Sequence, residues 1–189
     1  MKAAIALLAD FPTQNLARRM VYDLTRRAPI RFLGSLLPAH VSLKQPFEFE
    51  NMDGLESWLD AFSRSIPPFR IDLDHVYYAE WTGYAIVGMH VRETPTLREL
   101  HNRINQKLKD VVKDPSAAHD GEEYEFHLTI ELGPTGDSNP YREFYEALPE
   151  KQLDVSFLAE HIALFFYTDP FENMSFNCHK VLPLIAISG

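Results

Sequence analysis

Two short segments of this chain share one pattern. His40-Val41-Ser42-Leu43 and His127-Leu128-Thr129-Ile130 each set an imidazole and a hydroxyl two residues apart, with one apolar residue between them and another after. Both lie in strand-like runs. In a strand, alternate side chains share a face, so each copy presents His and Ser/Thr together and turns its apolar partners away. That demands a sheet with one covered face and one open face. The copies are 127 − 40 = 87 residues apart in a chain of 189, close to half its length. Each lies between helical segments. The reading is therefore one compact domain, residues 1–189, made of two pseudo-symmetric lobes with one motif in each. Similarity between the halves outside the motifs is weak, so the duplication rests on element order.

The periodicities give that order. Residues 3–8 are apolar on both faces and predict a buried, central strand. Thr13 is a candidate cap for a helix reaching about residue 27, with Leu16, Met20 and Leu24 on one stripe and Pro29 beyond. Segment 36–49 carries the first motif as a strand. Asp53 and Glu56 resemble a capping box ahead of the stripe Leu55, Trp58, Leu59, Phe62 and Ile66, which Pro67-Pro68 stops. Residues 69–80 and 84–92 form a predicted hairpin. Thr94-Pro95 opens a helix with Leu97, Leu100, Ile104, Leu108 and Val111 inward. The second motif follows in strand 124–132, and Asn139-Pro140 opens a short helix. Strands at 155–167 and 176–187 close the chain, the latter edged by Pro183. This is an α+β arrangement with helices over one face of each sheet.

Composition narrows the function classes. With 46% apolar and 24% charged residues the chain reads as soluble and globular. Eighteen Lys+Arg against 27 Asp+Glu give a formal charge of −9, which argues against sequence-blind attraction to duplex DNA. Cys178 is the only cysteine, so an intramolecular disulfide and a cysteine-rich zinc site are both excluded; a buried or half-buried small hydrophobe is the plain reading of it, with a nucleophile the remote second. No signal-type segment and no membrane-length apolar run is present, so the expected location is cytoplasmic, with no membrane partner.

One His-x-Ser is weak evidence, because a strand histidine beside a hydroxyl is common. Two copies at matching places, each with its apolar complement, are harder to explain by chance. The chain resembles the 2H phosphoesterase superfamily, whose signature is two His-x-Thr/Ser-hydrophobic motifs. The continuation Lys44-Gln45-Pro46-Phe47 resembles the bacterial branch of 2′-5′ RNA ligase-like proteins. The resemblance spans nearly the whole chain. It implies a bilobal fold of antiparallel-rich sheets with helices on their outer faces and a central cleft. It also implies metal-independent opening of a 2′,3′-cyclic or related phosphodiester on a nucleotide or RNA end, with no cofactor. His40 and His127 are then the acid and base, for which a reference pKa of about 6.5 suits imidazole. Ser42 and Thr129 bind the phosphate.

Further candidates for substrate contact are Lys44, Tyr84, Arg92, Phe165 and Tyr167. Lys44 continues the first motif's face and is read as either positive potential at the cleft mouth or a solvated strand residue. Glu131 continues the second face and is read as a solvent-facing salt bridge. Tyr84, His90 and Arg92 share one parity, with Arg92 a candidate for a terminal phosphate. Phe165 and Tyr167 share another and are candidates for base stacking, though aromatics at this density are more often core. No metal site is expected, since no H-E-x-x-H pattern or third ligand stands out. The expected partner is a small cyclic nucleotide or an RNA terminus. A binding module without turnover and a reversible 2′-5′ RNA ligase are the alternatives, and the oligomeric state is open.

Overall fold

The computed structural model describes residues 1–26, 37–81, 83–116, 120–135, 139–167 and 176–185, without the side chains of Trp81, Tyr167 and Phe176. The elements run β1 (Lys2–Leu8), α1 (Phe11–Thr25), β2 (His40–Glu48), α2 (Met52–Ser63), β3 (Phe69–Trp81), β4 (Tyr84–Val91) and α3 (Pro95–Lys107). After a short 3-10 turn at Leu108–Asp110 come β5 (His127–Pro134), α4 (Pro140–Glu146), β6 (Gln152–Ala159), β7 (His161–Tyr167) and β8 (Phe176–Pro183). Among the described residues no helix is long and apolar enough to cross a membrane.

The helix starts follow side-chain capping, with two shifts from the sequence expectation. Asp10, not Thr13, caps α1 by accepting from the Thr13 amide at 2.9 Å. Asn51, not Asp53, caps α2 by accepting from the Gly54 amide at 3.0 Å. Gly54 permits that closure, since a Cβ there would stand 2.9 Å from Asn51 Nδ2. Thr94 caps α3 as expected, at 3.2 Å from the Leu97 amide. Along α3, Leu97, Leu100, Ile104 and Leu108 are buried, but Val111 is exposed and Val112 takes its place inside. The 3-10 turn after Lys107 alters the residues per turn and shifts the phase of the stripe.

The strands form one antiparallel sheet in the order β6-β3-β4-β5-β2-β1-β7-β8. The two motif strands, β5 and β2, are its central pair and touch through one bridge, Val41 to Leu128. On either side the motif strand is flanked by the strand that precedes it in the chain, giving matched units β1–α1–β2 and β4–α3–β5. The helices cross over: α1 packs on β5 and α3 on β2.

Residues 155–167, expected as one strand, are two strands. Only Glu160 separates them, and the chain changes partner there, pairing with β3 before it and with β1 after it. β6 and β7 stand first and seventh in the sheet. Six flat spacings would separate them by about 29 Å, which no single residue spans, so the sheet curls. One face, carrying Ile5, Leu7, Val41, Leu43, Leu128 and Ile130, joins the helices in the main core. The other is covered thinly by Ala4, Ala6, Ala163 and Phe165, and the motif polar groups lie there: Ala6 pairs with Ser42, and Leu8 with His40.

Candidate active site

The Val41–Leu128 bridge sorts the side chains. Both are fully buried in the core, so their chain neighbours His40, Ser42, His127 and Thr129 project from the opposite face, half-buried. A regular antiparallel register extended by one residue each way would set His40 across from Thr129 and Ser42 across from His127. The two histidines would then be diagonal neighbours, with Cβ atoms about 7 Å apart. His127 is among the groups that depress the His40 pKa.

Both rings are held alike. His40 Nδ1 lies 2.8 Å from Pro38 O, and His127 Nδ1 lies 3.0 Å from Glu125 O, each carbonyl two residues before its histidine. A carbonyl only accepts, so Nδ1 carries the proton and Nε2 is left for chemistry. An aromatic ring then fixes each imidazole edge-on. Phe165 meets His40 with centroids 4.7 Å apart at 73°, and Tyr77 meets His127 at 6.1 Å and 79°. Tyr77 lies over Gly88, where an added Cβ would stand 2.6 Å from its ring. Burial pushes the His40 pKa down to about 4, against the opposing Pro38 carbonyl and with help from His127. His127 is also lowered, first by burial, against its bond to Glu125, and with a small contribution from His90. Burial holds the Tyr77 phenol well above its usual range, so it packs as a neutral ring.

The same irregularity follows each motif. Ser42 and Lys44 oppose the consecutive residues Ala6 and Ile5, while Thr129 and Glu131 oppose Gly88 and Val87. Leu43 and Ile130, the apolar fourth residues of the motifs, are thus the extra residues of two equivalent bulges. The bulge breaks the two-residue alternation and corrects two expectations. Lys44 is only 2% exposed, paired with Asp120, and neither lines the cleft mouth nor stands in solvent. Glu131 is fully buried, with Oε1 accepting from the Leu132 amide at 3.1 Å.

Segment 120–126, which leads into the second motif, is tied to the strand of the first. The Tyr124 hydroxyl donates to Ser42 O at 3.1 Å and accepts from Gln45 Nε2 at 3.2 Å. Its ring stacks on buried His101 at 4.8 Å, and His101 Nδ1 donates to Leu43 O at 2.8 Å. His101 Nε2 accepts from the Gly121 amide at 3.3 Å. Arg98 donates to Gly121 O and Tyr124 O. These bonds set the two motif strands in one register.

The remaining candidates separate. Phe165 is buried against His40 and offers no free face for a base, so its expected stacking role becomes one of holding the imidazole. Tyr84 pairs with Pro134, four residues and about 13 Å along β4 from Gly88, away from the motif quartet. Arg92 is exposed just past β4, its amide donating to Asp72 O. The Tyr167 side chain and His119 lie outside the described residues. Sequence reasoning missed Tyr77, for which the isolated strand glycine Gly88 was the available signal of close approach. It also missed Asp74, which with His75 and His90 places three metal-ligating atoms within 4.8 Å of one another.

The profile of the 2'-5' RNA ligase superfamily matches residues 14–170. No curated relative matches the chain by sequence. Among solved structures, TT0787 of Thermus thermophilus is similar over 98% of this chain and 99% of its own, with a TM-score of 0.66 at 14% identity. E. coli LigT complexed with 3'-AMP is similar over 97% and 98%, with a TM-score of 0.58 at 14% identity. Kluyveromyces marxianus Usb1 is similar over 97% of each chain, with a TM-score of 0.52 at 13% identity. At these identities the likeness is one of fold.

Proposed function

The chain belongs to the 2'-5' RNA ligase superfamily, and on that footing we propose that it hydrolyses a 2′,3′-cyclic or related cyclic phosphodiester on a nucleotide or RNA end. The observation that carries this reading is the placement of His40, Ser42, His127 and Thr129 on one face across the Val41–Leu128 bridge, with both imidazoles pinned at Nδ1.

Neutral Nε2 of one histidine takes a proton from water as the water oxygen bonds to phosphorus. The bond from phosphorus to one ribose oxygen breaks, and Nε2–H of the other, charged histidine protonates that oxygen. Each well-placed proton transfer contributes about 10²–10⁴-fold. Ser42 Oγ and Thr129 Oγ1 donate to the non-bridging oxygens. Burial disfavours both imidazoles as cations. The phosphodiester anion reverses this by stabilising an imidazolium beside it, so substrate arrival charges the acid. The near-symmetric quartet leaves the substrate's orientation to decide which histidine takes which role.

The net charge of −9 favours small or terminal substrates over extended RNA. A nucleotide-sized ligand also accords with the LigT structures complexed with 3'-AMP and with phosphate. The test is phosphorus NMR of the protein in chelator with three substrates: 2′,3′-cyclic AMP, a short RNA ending in cyclic phosphate, and a cyclic phosphate derived from ADP-ribose. Ring opening of at least one is expected. Saturable binding with no product overturns hydrolysis in favour of a binding module, and joined strands in place of ring-opened ends identify a ligase.

A further inference from the structure

Beside the second motif lies a group that the phosphodiester chemistry leaves unused. His75 of β3 pairs with His90 of β4, and His90 pairs on its other side with His127 of β5, so three imidazoles form a row across three strands. A register shift between Leu73 and His75 makes Asp74 an extra residue and brings its carboxylate to the same row. Asp74 Oδ1 accepts from His75 Nδ1 at 2.6 Å and from His90 Nδ1 at 2.9 Å. The two rings stack with centroids 4.8 Å apart. The side chains are open to solvent, 25% exposed for Asp74 and 40% for each histidine. His75 and His90 line a recess whose walls also include Glu122, Glu123 and Glu125, together with Glu93 and the Arg98 that pairs with it.

The geometry points to a site for one divalent transition ion of the zinc type, held by Asp74, His75 and His90 and separate from the phosphodiester centre. Two imidazoles and a carboxylate are the donor set of borderline ions, whereas Mg²⁺ and Ca²⁺ prefer all-oxygen ligands. The ligand atoms already converge, each imidazole on one carboxylate oxygen. An ion bonded at about 2.0–2.2 Å needs those atoms slightly further apart, which side-chain rotation supplies. The Nδ1 protons then move to Nε2 or to solvent, so binding weakens as acid competes for the rings. Three protein ligands leave a coordination position for water or an anion. Because His90 is paired with His127, the ion would stand one strand from the proposed phosphate site.

The test is calorimetric titration of the full chain with Zn²⁺ at pH 7.5, with Mg²⁺ as control. Wild type is expected to bind one equivalent of Zn²⁺, undiminished by millimolar Mg²⁺. The single variants H75Q and H90Q and the conservative D74N should each weaken binding at least tenfold, with circular dichroism showing that each remains folded. Absence of a one-equivalent Zn²⁺ event, or the same affinity in a folded H75Q/H90Q double variant, overturns the site. The readout is binding, so its failure is distinct from failure of cyclic phosphate opening in chelator, which tests the functional reading alone.

Discussion

Val41 and Leu128 form the bridge between β2 and β5. Because both point into the core, the pairing sends two histidines and two hydroxyls, His40, Ser42, His127 and Thr129, to the other face. The two motifs meet at this single bridge, one from each half of the sheet.

In the proposed reaction, replacing either histidine removes one proton transfer. H40A and H127A should each lower the rate of cyclic phosphate opening by about 10²–10⁴-fold, measured by product formation under chelation. S42A and T129A lose one hydrogen bond to a charged oxygen, worth about 1.5–3 kcal/mol, and should slow the reaction roughly 10–100-fold. Unfolding midpoints near wild type would separate these losses from misfolding.

The depressed histidines set the pH dependence. With both free-enzyme pKa values below 6.5, the optimum of kcat/KM should fall on the acid side of 6.5, and its alkaline limb reports loss of the protonated acid. The kcat profile should extend to higher pH, since bound phosphate favours imidazolium.

Stability follows the same groups with a definite sign. His40 titrates at about 4 when folded and about 6.5 when unfolded, so between these values the unfolded chain binds more protons. Its contribution is full above pH 6.5 and is lost as pH falls toward 4, at most about 3 kcal/mol. Urea unfolding at pH 7.5 and 4.5 should show a smaller acid-side loss in H40Q than in wild type.

Gly88 makes room for the ring that braces His127. G88A puts a Cβ 2.6 Å from Tyr77 Cε1 and must displace that ring. Overpacking of this kind costs about 1–3 kcal/mol. Thermal unfolding should show that loss, and G88A/Y77L should recover much of it while activity stays low, because the brace is gone.

The motif faces were legible because two-residue alternation is written directly in His40-Val41-Ser42 and His127-Leu128-Thr129. The fates of Lys44 and Glu131 were not, because Leu43 and Ile130 look like ordinary alternating residues until a neighbouring strand makes them bulges. Asp74 was hidden for the same reason. The division at Glu160 was also invisible: the partner strand changes there, which is a tertiary event. At Asp10/Thr13 and Asn51/Asp53 two capping side chains lie close together, and local geometry chose the earlier one. The hairpin of β3 and β4 and the cap at Thr94 needed only local signals, and both were legible.

The central claim is that one phosphate sits between His40 and His127. Histidine-selective ¹⁵N NMR of the protein titrated with 3′-AMP tests it directly. The account predicts that the Nε2 resonances of both histidines shift together, saturate at one equivalent and give one dissociation constant, while both Nδ1 protons stay in place. A shift at only one histidine, or two dissociation constants from independent sites, would contradict it.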